Sequence, residues 1–428
     1  MYYFYVTLFY LLLPFLLVFR YYQGLQSKNF NSRYQESLGI YTKKHVQHVI
    51  WVHAVSVGEV EAAHVIIEYL RKNYPYQILV TTGTEAGYDR VWALQGDKVE
   101  HVYLPYDTPD AVERFMMHFQ PQLAIIMETE VWPVLFAKCE KYSIPLFIVN
   151  ARLSEKSMQG YRKIKGFLQQ SFSGVTGVLV QTEVDAQRYQ EIGVLAEKIT
   201  VSGNIKLDMP IAETMQVQAI QEKQDLFPGR QVWVVGSTHP GEEEIFLQAY
   251  QQLKQKFPAL LLVLAPRQPK RSAEINKLCL RFNMHTVIRT EGRPCVPATD
   301  VYIVDTLGEL KRMYAVADYS FVAGSMVPIG GHNIFEPVLL GVPVMFGPYM
   351  NNIELLAKQL LAVQGAIQCI DVADIIAAVT LMITQPQERE RLISNSRAFV
   401  AQNNGTLRRT IALIDPFIPA HDSGAKIE

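Results

Sequence analysis

The residues with the clearest chemical potential lie late in the chain, in Gly324-Ser-Met-Val-Pro-Ile-Gly330-Gly331-His332-Asn333-Ile-Phe-Glu336-Pro337. An apolar run, Tyr319 to Ala323, reads as a buried strand ending at Gly324, and Asn333 as the N-cap of a helix beyond the glycine pair. A strand, a glycine-rich turn and a helix N-terminus suit an anion, because backbone N–H groups point outward and the helix dipole favours negative charge. Glu336, one turn into that helix, is placed to accept hydrogen bonds from both hydroxyls of a ribose. Phosphate at a helix end and ribose on a carboxylate make a nucleotide grip. In the same half, Arg267 offers a cation for phosphate, and the turn Leu307-Gly308-Glu309 offers backbone groups to a base.

The first half supplies a different chemistry. Glu59 follows an apolar strand through Ala54-Val-Ser-Val-Gly58, small residues that leave room for a substrate, and it starts a helix whose dipole favours its ionised form. A carboxylate there can take a proton from an acceptor hydroxyl. The same position also suits a glutamate that only satisfies the helix end. Glu128 and Lys206 follow strands too and could hold charge that develops at a reaction centre.

These residues need strand ends to carry them, and the chain provides a strand–helix rhythm. Val49–His53, Gln77–Thr82, His101–Leu104, Leu123–Met127, Pro145–Asn150, Gly177–Gln181 and Ile199–Ser202 read as strands. After a Gln- and Glu-bearing stretch the rhythm restarts with Gln231–Gly236, Leu260–Ala265, Asp300–Val304, Tyr319–Ala323 and Pro343–Phe346. Strands alternating with helices imply parallel, doubly wound sheets, with ligands beyond the carboxyl ends of the strands. The expectation is therefore two Rossmann-like α/β domains facing a cleft: residues 23–210, a linker at 211–230, and residues 231–428. A short helix is expected near Tyr34–Leu38. The 428 residues carry a net charge of −1, which gives no support for wholesale nucleic-acid binding. Four scattered cysteines make neither a metal set nor a disulfide framework, so no metal and a reducing compartment are expected.

Residues 1–22 stand apart. Met1 to Phe19 carries no charged side chain, aromatics crowd both ends, and Arg20, Lys28, Arg33, Lys43 and Lys44 follow. About 20 apolar residues are needed to span a bilayer, and positive charge marks the cytoplasmic side. The expectation is a membrane anchor helix, uncleaved, with the body of the protein on the cytoplasmic face; a half-inserted, monotopic helix is the alternative.

Several motifs together carry a family resemblance: His53-Ala-Val-Ser-Val-Gly-Glu59, His101-Val-Tyr-Leu-Pro-Tyr-Asp107, Met127-Glu-Thr-Glu-Val-Trp-Pro133, Asn150-Ala-Arg-Leu-Ser154, Ser237-Thr-His-Pro-Gly-Glu242 and Gly330-Gly-His-Asn-Ile-Phe-Glu336. Over nearly its whole length the chain resembles the 3-deoxy-D-manno-octulosonic acid (Kdo) transferases of lipopolysaccharide synthesis. The resemblance implies the GT-B architecture, an inverting transfer of Kdo from CMP-Kdo to the lipid A precursor lipid IVA, no cofactor, and a place at the inner membrane. It also implies roles: Glu59 as general base, Glu128 and Lys206 as stabilisers of charge, and Pro266, Arg267, Leu307, Gly308, Glu309, Asn333, Ile334, Phe335 and Glu336 as contacts to CMP. The family often has Pro-Leu where this chain has Ile334-Phe335. Two rivals use similar parts: another GT-B enzyme or epimerase with a different nucleotide sugar, and a membrane-tethered nucleotide-binding protein without turnover.

Overall fold

The computed structural model describes residues 1–24, 33–41, 48–208 and 213–419. Among them, two seven-stranded sheets form, each in its own unit and parallel throughout. In the first, β1 (Ile50–His53), β2 (Ile78–Thr82), β3 (Glu100–Tyr103), β4 (Leu123–Met127), β5 (Leu146–Ala151), β6 (Gly177–Val180) and β7 (Ile199–Val201) take the order β3-β2-β1-β4-β5-β6-β7. Both faces are covered. Trp51 packs on one side with Val102, Phe115 and Ile126, while Ile50 and Val52 pack on the other with Ala63, Ile66 and Val80. That is why these strands read as unbroken apolar runs rather than as alternating ones.

The second sheet contains β8 (Gln231–Thr238), β9 (Leu260–Pro266), β10 (Thr286–Ile288), β11 (Val301–Ile303), β12 (Tyr319–Val322), β13 (Val344–Phe346) and β14 (Ala366–Gln368), in the order β10-β11-β9-β8-β12-β13-β14. Each sheet has a central switch in strand order, between β1 and β4 and between β8 and β12. Adjacent connections there leave toward opposite faces and open a crevice at the carboxyl ends. Glu59 and Glu128 follow β1 and β4, the Ser237–Glu242 stretch begins in the last two residues of β8, and the Gly324–Glu336 stretch follows β12.

Four expectations need correction. The edge strands β10 and β14 were not foreseen; each is three residues long, too short to carry a period. The expected linker is mostly helix, Glu213–Leu226, and it belongs to the second unit. Residues from Asn404 do not belong to the second unit but return to the first. There the Asp208 carboxylate accepts the Gly405 N–H at 2.8 Å, and Ile411 and Ile414 enter the core beside Val149 and Ile205.

The fourth concerns the N-terminus. A helix does form over Tyr2–Gly24, but no helix among the described residues is long and apolar enough to cross a membrane. Two of its tyrosines are committed to the first unit. Tyr5 donates its hydroxyl to Asp107 at 2.9 Å and packs on Phe167, and Tyr10 donates to Asp110 at 2.6 Å. The short helix at Tyr34–Leu38 is present as a 3-10 turn, docked on β3 by Glu36, which accepts the Tyr103 N–H at 2.9 Å. Lys28, Lys43 and Lys44 lie outside the described residues.

Neither sheet takes a strand from residues 1–22, so deleting them should leave cooperative unfolding intact. The cost should stay at about 1–3 kcal/mol, the scale for leaving the buried Asp107 short of a donor. Thermal unfolding followed by circular dichroism checks this; a broad, non-cooperative melt would show that the helix is part of the core.

Candidate functional site

In the first unit, Ser56 starts the helix Val57–Asn73 from extended backbone, and its hydroxyl does not cap the helix. Glu59 does the capping from inside the first turn. Its carboxylate accepts the Val55 N–H at 2.7 Å and the Ser56 hydroxyl at 3.1 Å. The helix-end role and an acid–base role therefore coexist, because a carboxylate has about four acceptor positions and two are used here. Burial pushes the Glu59 carboxyl up to about 7; the charge of Glu128 adds to the rise, while the Val55 and Ser56 bonds and Lys206 oppose it.

Glu128 sits on left-handed backbone, φ +56°, and is 6% exposed. Burial alone would raise its carboxyl, but Lys206 Nζ at 3.0 Å and Arg152 Nε at 3.0 Å outweigh it and hold the group below the usual range. Two carboxylates that interact electrostatically thus divide their states: Glu128 stays charged and Glu59 titrates near neutrality. Environments that push paired acids apart are how one site holds both a fixed charge and a base.

The structure adds residues that the sequence reasoning passed over. Glu130, two positions after Glu128, is pushed up to about 7 by burial and by the charge of Glu59. Arg152 supplies the second cation on Glu128. Both stand in motifs whose spacing was visible, Glu128-Thr-Glu130 and Asn150-Ala-Arg152, but charge coupling is not. Lys206 is held from behind. Asn150 accepts the Ile205 N–H at 3.1 Å, and Asn204 accepts the Lys206 N–H at 3.0 Å. Gly58 lies beside it: a Cβ there would stand 3.8 Å from Nζ, an ordinary contact.

In the second unit the anion grip differs from expectation. Gly324, Ser325 and Met326 do present their N–H groups together, but inward. All three, with the His239 N–H, are taken by the buried carboxylate of Glu242 at 2.8 to 3.1 Å. The signal was present in Ser237-Thr-His-Pro-Gly-Glu242, where an acid stands at the start of the helix Glu242–Lys256. The helix after the glycine pair is Phe335–Leu339 with Ile334 at its cap, only five residues, so its dipole is smaller than a full helix would give. Asn333 still satisfies this end: it accepts the Phe335 N–H at 3.1 Å and donates to Glu336 at 3.3 Å. Ile334 and Phe335 are only 0% and 3% exposed, backbone and side chain alike.

Pro266 is buried at the end of β9, and Arg267 follows with an exposed side chain and its N–H on Thr238 O at 3.1 Å. Arg267 lies within electrostatic reach of His332. Burial first, then His239 and Arg267, push that imidazole down to about 4. His239 and His332 meet edge to edge, Nε2 to Nε2 at 2.8 Å with rings 6° from parallel, so one donates to the other. Leu307 and Gly308 form an exposed turn. The Glu309 carboxylate does not face out with them but pairs with Arg289 Nη2 at 2.8 Å. No group of His, Cys, Asp or Glu among the described residues has the arrangement to hold a metal.

Residues 32–209 match the family model described as 3-deoxy-D-manno-octulosonic-acid transferase. The 3-deoxy-D-manno-octulosonic acid transferase of Haemophilus influenzae is 35% identical, covering 97% of this chain and 98% of that one. The one from Rickettsia bellii is 31% identical, covering 97% and 99%. Among solved structures, the UDP-GlcNAc 2-epimerase of Neisseria meningitidis bound to UDP-GlcNAc superposes with a TM-score of 0.61 at 14% identity, covering 86% of this chain and 100% of that chain, a likeness of fold. With two nearly full-length relatives above 30% identity, the chain belongs to the family of 3-deoxy-D-manno-octulosonic acid transferases, and it is a glycosyltransferase.

Proposed function

We propose that the protein is an inverting glycosyltransferase that moves Kdo from CMP-Kdo to a hydroxyl of lipid IVA, releasing CMP, in lipopolysaccharide biosynthesis. The observation that carries this reading is Glu59 at the switch point of the first sheet, buried enough to titrate at about 7 beside Glu128, whose two cations hold its carboxyl low. A base poised near the working pH both exists in its deprotonated form and takes a proton readily. Glu59 would remove the proton from the acceptor hydroxyl, whose oxygen attacks the anomeric carbon of Kdo as the bond to the phosphate oxygen breaks. Lys206, neutralised in part by Glu128, would keep Glu59 from rising further and stabilise charge at the reacting centre. In the second unit Arg267 would bind the phosphate, Glu336 the ribose hydroxyls, oriented by Asn333, and the Leu307–Glu309 turn the cytosine.

A lipid acceptor favours work at a membrane surface. We place the protein on the cytoplasmic face of the inner membrane, with the Tyr2–Gly24 helix lying along it. Tyr3, Phe4, Leu11 and Phe15 of that helix are each at least 65% exposed, an apolar face suited to an interface.

Incubating purified protein with CMP-Kdo and lipid IVA, then weighing the lipid by mass spectrometry, tests the reaction. CMP bound without any mass gain would favour a binding protein, and tighter UMP or UDP binding would point to another donor.

Glu336→Ala should weaken CMP binding by about 1–3 kcal/mol, the scale for unmatched polar partners. Calorimetry showing wild-type affinity would move the ribose elsewhere. Glu59→Gln should keep CMP-Kdo binding and lose turnover by about 10²–10⁴-fold. Near-normal turnover would remove Glu59 from the mechanism and leave Glu128 or Glu130 to be tested.

The pH profile follows from the same shift. kcat/KM should rise through about pH 7 as Glu59 loses its proton. Lys206→Met removes a charge that lowers Glu59, so that limb should move to higher pH. A limb that stays put would show that another group sets it. Stability runs the opposite way. A carboxyl raised in the folded state binds more protons there, so its contribution falls as pH climbs from the ordinary carboxylate range to about 7, and Glu59→Gln should flatten that slope.

A further inference from the structure

The Leu307-Gly308-Glu309 turn is clasped at both ends by two adjacent residues. β11 ends at Ile303, and the helix Leu310–Ala315 begins directly after Glu309. Thr290 donates its N–H at 3.1 Å and its hydroxyl at 2.6 Å to the Asp305 carboxylate. Arg289 donates to both oxygens of Glu309, from Nε at 3.2 and 3.1 Å and from Nη2 at 2.8 Å. The Thr306 hydroxyl also donates to Glu309. Arg289 is itself anchored by Glu222 at 3.3 Å and by the Tyr302 hydroxyl at 3.5 Å. The three side chains of this strut are mostly covered: Arg289 is 18% exposed, Glu309 17% and Glu222 12%.

The front of the turn is the opposite. Leu307 is 79% exposed, and Gly308 has φ +82°, the left-handed region where glycine costs least. A glycine turn reads a ligand through its backbone only if something else fixes it, since ordering it at the moment of binding subtracts from affinity. Resting on the CMP reading above, we propose that Arg289 is a positioning residue for nucleobase recognition. Through Glu309 it holds the backbone of Thr306 to Gly308 in the geometry that reads the base, and it touches no part of the ligand. Glu309 is then a strut as well, not a side-chain contact to CMP. The job needs arginine, because its planar fork meets both carboxylate oxygens at once, which a lysine cannot do.

The test measures CMP and ribose 5-phosphate binding to the full chain carrying Arg289→Met, Glu309→Gln or both. Each single substitution should weaken CMP about tenfold, the scale of one lost charge-assisted hydrogen bond. The double should be no worse than either single, because both break one strut. Ribose 5-phosphate lacks the base, so its affinity should not change, and that result also shows the variants are folded. Equal loss of both ligands would reduce Arg289 to a general structural part and overturn the proposal. CMP affinity that falls in Glu309→Gln but not in Arg289→Met would overturn it too, by making Glu309 a direct contact. If Arg289→Met does not fold, Arg289→Lys takes its place, and wild-type CMP affinity in that variant overturns the proposal. Wild-type protein that binds ribose 5-phosphate but gains nothing from the base removes the CMP reading and this inference with it.

Discussion

The Glu242 carboxylate takes four backbone N–H groups at the point where the second sheet reverses its winding. Strands and helices leave unpaired donors and acceptors at both of their ends, where the chain turns away from its partners. Buried and unpaired, each would cost free energy on the scale of a lost hydrogen bond. This protein answers with acidic side chains. Asp107 accepts the N–H groups of Val134 and Leu135, Glu59 that of Val55, Asp318 that of Val232 and Asp300 that of His285. In each case a carboxylate satisfies backbone N–H groups at the end of a strand or the start of a helix, which fixes the backbone there.

That solution has an electrostatic consequence. A carboxylate brought out of water tends to regain its proton unless donors or cations hold it ionised. Burial leads in Glu242 and raises it despite four backbone bonds, and it raises Asp107 to about 6. Glu128 is also buried but has two cations, and it falls. Glu59 has two neutral donors and a cation only within electrostatic reach, and it settles at about 7. A structural device for capping a strand end is thus also a way of making a base, and what separates the two uses is the number of charges left nearby. The unusual backbone of Glu128, φ +56°, fits the same picture, since conformations of that kind persist where surrounding contacts over-determine them.

In the second unit the carboxylates are divided between support and exposure. Glu242 and Glu309 both belong to stretches that resemble ligand-binding motifs, yet each spends its oxygens on the protein, one on backbone amides and the other on Arg289. Glu336 accepts from Asn333 at 3.3 Å and is only half-buried. Arg267 is exposed and follows a buried proline that fixes the end of β9.

Much of this was legible without coordinates. Apolar runs of four to eight residues marked most strands, because strands buried on both faces need no alternation, and polar clusters at their ends marked the switch points. Glu59, Glu128 and Lys206 could be chosen because strand ends in a doubly wound sheet gather on one side. The short edge strands, the helical nature of the expected linker and the return of the chain to the first unit at Asn404 were not legible, since each depends on contacts between residues far apart in sequence. The same holds for the first helix. Its composition suggested a bilayer, but whether Tyr5 and Tyr10 find Asp107 and Asp110 is decided in three dimensions. Local sequence determines which residues can cap, bind or titrate, through side-chain type and the period of the elements beneath them. Which acid keeps its proton, which donor is already taken and which turn is free to meet a ligand were decided by tertiary structure alone, because burial and charge pairing arise only when distant segments meet.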